Sequence, residues 1–71
     1  MKNQQSLFGR QIRSISDAVF IIELEEGSEQ DHIAAWQYLI DTGAVWRMQG
    51  IYGRTAAMLI DEGICTDPSE T

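Results

Sequence analysis

The side chains able to do covalent or acid–base chemistry are few. His32 is the single histidine and Cys65 the single cysteine, so a nucleophile–base pair could arise only if folding joined the two. No His/Cys cluster has the spacing of a metal site, and a lone cysteine excludes an internal disulfide framework. Cys65 reads instead as a small apolar end-piece beside Ile64. Gly50-Ile51-Tyr52-Gly53 lacks the lysine and the preceding strand of a phosphate-cradling loop. Carboxylates are plentiful, but a chain of 71 residues has little room for a deep pocket around any pair of them. No catalytic residue, cofactor or metal is expected.

Recognition chemistry is better represented. The run Trp46-Arg47-Met48-Gln49-Gly50-Ile51-Tyr52-Gly53-Arg54 gathers a tryptophan, a tyrosine and two arginines, the residue types that dominate binding hot spots. Trp46, Arg47, Gln49, Tyr52 and Arg54 are therefore candidate partner-binding residues, with a purely structural role as the competing reading. Glu23, Glu25 and Glu26 join them as a candidate acidic surface. The net charge of −6 is unevenly placed. Residues 1–15 hold Lys2, Arg10 and Arg13 and no acid, whereas residues 16–71 hold all eleven acids against Arg47 and Arg54. Such a body would repel nucleic acid and can attract basic proteins; the competing reading is that the charge merely keeps a small protein soluble. Arg47, Gln49 and Arg54 on a helix-turn-helix could reach base edges, but Asp61 and Glu62 would sit on that recognition helix, so DNA binding ranks low.

Short helices must position these groups. The clearest spans about 29–42: Ser28 is a suitable N-cap, and Ile33, Trp36, Leu39 and Ile40 form one apolar stripe from which Gln37 and Asp41 fall away. A second helix is expected at about 52–62 with Tyr52, Ala56, Leu59 and Ile60 inward, and a short one at about 44–49 with Val45 and Met48 inward. Leu39-Ile40-Asp41-Thr42-Gly43 recurs as Leu59-Ile60-Asp61-Glu62-Gly63, which predicts two helices ended by a left-handed glycine, with Ala44 and Ile64 folding back on Leu39 and Leu59. Asp41 and Asp61 are then acids in last turns, where the helix dipole disfavours them. A pairing of Asp41 with Arg54 or Arg47 would compensate; solvation is the alternative.

Residues 17–26 fit either a strand or a helix. A strand would have no partner in this chain, whereas a helix capped by Ser16 or Asp17 and stopped near Gly27 needs none, so helix is preferred. The expected fold is all-α: a compact bundle of three or four short helices over residues 16–66, with a flexible basic arm at 1–15 and a polar tail at 67–71. The longest apolar run, Ala18 to Ile22, is far shorter than the ~20 residues of a membrane span. The segment Met1 to Gln5 has no apolar signal region, so the cytoplasm is the expected location.

The stretches Trp36-Gln37-Tyr38-Leu39-Ile40-Asp41-Thr42-Gly43 and Trp46 to Ala56 resemble a family of small phage and prophage proteins. The likeness covers about residues 30–65 and departs at Met48, where leucine is usual. It implies an acidic helical stretch before the motif and an accessory protein acting in the bacterial cytosol, with no assigned activity. Composition and resemblance together lead to an expectation of protein–protein binding. The partner would be a host or phage protein with a basic surface, and the sharpest form is inhibition of a host nucleic-acid-handling or defence factor. A dimeric regulatory factor and a weak helix-turn-helix DNA binder are the alternatives.

Overall fold

Two serines start the first two helices. In the computed structural model, which describes residues 12–25 and 27–68, Ser14 and Ser28 stand in extended backbone and accept hydrogen bonds on their hydroxyls from the amides of Asp17 and Asp31. At Ser28 the box is reciprocal, because Asp31 Oδ2 accepts the Ser28 amide at 2.8 Å. Helix α1 (Ile15–Leu24) therefore begins and ends two residues before the expected 17–26. Asp17 is not its cap; it lies in the first turn, and its carboxylate accepts the Arg13 amide at 3.0 Å. The end comes early because Glu25, not Gly27, takes the first left-handed conformation, at φ 56°.

Helix α2 (Glu29–Thr42) has the expected bounds. The segment expected as a helix over 44–49 is a single 3-10 turn, Ala44–Arg47, ended by Met48 in extended backbone. Helix α3 (Gly50–Asp61) starts two residues before the expected 52. Glycine is tolerated in a first turn, where the first amides have no intrahelical partner in any case, and the buried phase of Tyr52 and Ala56 sets the rest. The described residues contain no strand, so the fold is all-α.

Helix α1 packs on α2, α2 on the 3-10 turn, and the turn on α3. The core consists of Ala18, Ile21, Ala35, Leu39, Ile40, Ala44, Val45, Tyr52, Ala56 and Cys65. Alanines at 18 and 35, both without exposed surface, let α1 and α2 approach closely. Val45 is buried and Met48 packs against the core, as their spacing predicts. Ile12 also packs there, so part of the expected arm at 1–15 is bound to the body; residues 1–11 lie outside the described residues.

The repeated helix endings share the glycine amide's bond to residue 40 or 60 and differ in the bonds around it. Gly43 and Gly63 are both left-handed, at φ 80° and 79°. After α3 the Ile64 amide donates to Leu59 O at 2.9 Å and Gly63 N to Ile60 O, which completes a Schellman ending, although the Ile64 side chain stays exposed. After α2 the Thr42 hydroxyl intervenes, donating to Leu39 O and accepting from Ala44 N, both at 3.3 Å. Glu62 offers no such hydroxyl at the matching position.

Candidate functional site

The end of α1 and the start of α3 enclose a shallow groove over the middle of α2. It is lined by Ile22 and Glu23 of α1, Glu25 at its cap, Trp36 of α2, and Ile51, Tyr52 and Thr55 of α3, and has a volume of about 270 Å³. Helix phase explains the meeting: Tyr52 points into the core at 8% exposure, while Ile51, one residue earlier, stays at the lip. Tyr52 reaches across to α1, where its hydroxyl donates to Glu23 Oε2. Its ring also meets Trp36 at a centroid separation of 5.4 Å and a tilt of 43°, a spacing typical of attractive aromatic pairs. Three helices are thus joined by one side chain.

Burial is the main cause that pushes the Tyr52 phenol up from its ordinary value to about 12; the hydrogen bond to Glu23 and that carboxylate's charge add to it. At neutral pH the hydroxyl is protonated and holds Glu23 in place. This role is orientation, not proton transfer. Glu25 is exposed at the rim and left-handed, a conformation costing roughly 1–2 kcal/mol for a residue other than glycine. Glu26 lies outside the described residues.

The remaining candidates form a second surface, on the outer side of the 3-10 turn and α3. Trp46, Arg47, Gln49 and Arg54 are exposed, and the Trp46 ring lies beside Gly53. Ile51 and Met58, seven residues apart, share one edge of the exposed face of α3. The structure therefore divides the candidates between a groove (Glu23, Glu25, Tyr52) and an outer face (Trp46, Arg47, Gln49, Arg54), with Ile51 between them.

The expected pairing of Asp41 with an arginine does not occur. Gln37, on the same helix and one turn earlier, donates to Asp41 Oδ1 at 2.9 Å instead. The same Gln37 amide donates to Thr66 O at 2.8 Å and accepts from Thr66 N at 2.9 Å, which clamps the end of the chain to α2. Sequence reasoning missed this clamp because a polar residue off the apolar stripe reads as solvated. The groove residues Ile22, Trp36 and Thr55 were equally unmarked, since core spacing accounts for the first two.

Cys65 is buried, with Sγ 4.0 Å from Ile33 O, and burial, then the charge of Asp41, pushes its thiol up, opposite to what a nucleophile needs. Among the described residues no group of three or more His, Cys, Asp or Glu could hold a metal ion, and no helix is long and apolar enough to cross a membrane. Residues 9–71 match the family described as Domain of unknown function (DUF7417). No curated protein and no solved structure matches the chain.

Proposed function

We propose that this chain, which belongs to the DUF7417 family, works by binding another protein, as an accessory factor of phage or prophage type in the bacterial cytoplasm. The partner carries a basic surface, and the finer reading is a host factor of nucleic-acid handling or defence that binding inhibits. The observation that carries this is the outer face of α3. Ile51 and Met58 are 58% and 49% exposed on one edge of that face, Trp46 is 48% exposed beside Gly53 on its other edge, and helix phase puts Arg54 between them. Large apolar and aromatic side chains beside arginine on one exposed face have the composition of an interface core.

The test is capture of partners from bacterial lysate by the tagged chain. A defined partner should be retained at about 0.15 M salt, fade toward about 1 M as charges are screened, and be lost with the Trp46→Ala/Arg54→Ala variant that keeps wild-type circular dichroism. Capture that survives in that folded variant, or retention of a DNA duplex at about 0.15 M salt, would overturn the proposal.

A dimeric regulatory factor is favoured by a separate observation. Phe20 and Leu24, four residues apart on α1, are both about half exposed. Sedimentation should then show association that rises with concentration and disappears on Leu24→Ser.

A further inference from the structure

The groove between α1 and α3 combines aliphatic walls, an indole and two carboxylates. We infer that it receives an arginine side chain of a basic partner protein, a reading that rests on partner binding and assigns its first contact. The groove, of about 270 Å³, has room for one long side chain. Ile22 and Ile51 offer apolar surface to the methylene stem. Trp36 offers a ring on which a planar guanidinium stacks.

Charge selects the sign and geometry selects the cation. Glu23 is held by the Tyr52 hydroxyl on Oε2, so its position is fixed while Oε1 stays available. Glu25 stands exposed at the rim, where a guanidinium fork can meet a carboxylate with two parallel hydrogen bonds. An anion would enter against both carboxylates and a net charge of −6. A lysine ammonium is compact and strongly hydrated, and it matches neither the ring plane nor the carboxylate fork as well. A second copy of this chain could also supply arginines, because Arg47 and Arg54 are exposed. The acidic body makes two copies repel and a basic partner approach, so the partner is the favoured source.

The experiment titrates the full isotope-labelled chain with acetyl-Ala-Arg-Ala-amide, its lysine counterpart and its citrulline counterpart. The Trp36 indole N–H and the Glu25 amide are followed by NMR. The arginine peptide should give saturable shifts confined to groove residues, the lysine peptide should bind about threefold more weakly, and citrulline, isosteric but neutral, should not bind. Glu25→Gln should weaken arginine binding at least about threefold and leave the free-state Trp36 resonance in place. Equal binding of citrulline, or shifts spread over the acidic surface without saturation, would overturn the inference. Shifts of the same resonances with protein concentration alone, removed by Arg47→Ala/Arg54→Ala, would also overturn it by assigning the groove to a second copy. Partner capture without groove titration removes only this inference; groove titration without a captured partner removes only the wider proposal.

Discussion

Tyr52 is the residue on which position and chemistry meet. Its ring is core, its hydroxyl joins α3 to α1, and both facts act on the same proton. The phenol's affinity for that proton is higher in the folded state, near 12, than in the unfolded chain, near 10. A raised value means that the folded state holds the proton more tightly, so the contribution to stability is complete below about 10 and declines as pH rises through about 12. Denaturant unfolding measured stepwise above neutral pH should therefore show stability falling from about pH 10 upward by an amount of order 2 kcal/mol. In Tyr52→Phe that alkaline step should be absent, while stability at neutral pH falls by only about 0.5–1.5 kcal/mol for the lost hydrogen bond. Glu23 is exposed and rehydrates when its donor is removed. A phenolate absorbance titration that finds Tyr52 ionising at its ordinary value would contradict the buried, carboxylate-facing environment. Tyr52 also shows how a single residue reads from sequence. Its type marked it for binding and its helix phase marked it for the core; only the packing shows that it does the second and shapes the groove by doing so.

Helices and their ends were legible where the signal is local. The Ser28 cap and the glycines at 43 and 63 act over three to five residues, and all fall where the pattern places them. Two of the shifted boundaries lie where neighbouring residues compete for one role, Ser14 against Ser16 and Asp17, and Glu25 against Gly27. The bonds that tie elements together were not legible. Glu23 with Tyr52 and Gln37 with Thr66 each span 29 residues, and their meeting depends on how helices cross, which no spacing encodes. Two glycines, one within α3 and one just past its end, separate the two kinds of information. Gly53 is helical, and a Cβ there would meet its nearest atom, in the Trp46 ring, at an ordinary 3.9 Å. Gly63 has open space around it but a φ of 79°, which a side chain resists. Gly53→Ala should accordingly stabilise the fold by about 0.5–1 kcal/mol, and Gly63→Ala should destabilise it by about 1 kcal/mol. Both are read from urea midpoints at an unchanged slope. Two effects of the same sign would mean that helix propensity and the left-handed ending had been assigned to the wrong glycines.

At the scale of the whole molecule, large apolar side chains are divided between inside and outside in a way that stability alone does not explain. Among the described residues, four of the ten buried hydrophobics are alanine, and the largest side chains that are fully buried are Leu39, Ile40, Val45 and Cys65. Seven large hydrophobics among the described residues meanwhile stand well exposed, Ile51 most of all. A chain of this length draws roughly 3–5 kcal/mol from its core, so each buried side chain accounts for a large share. Leu39→Ala, which costs about 2–5 kcal/mol at a buried site, should leave much of the protein unfolded at 25 °C by circular dichroism. The paired variant Ile51→Ser/Met58→Ser removes comparable apolar surface from the outer face, yet exposed substitutions stay within about 0.5 kcal/mol each, so its thermal midpoint should barely move. Binding is where that variant should fail, because a partner covering the α3 face would lose two anchors at once. A clear fall in thermal stability for Ile51→Ser/Met58→Ser would place those side chains in the service of the fold, and the face of α3 would then need no partner to account for it.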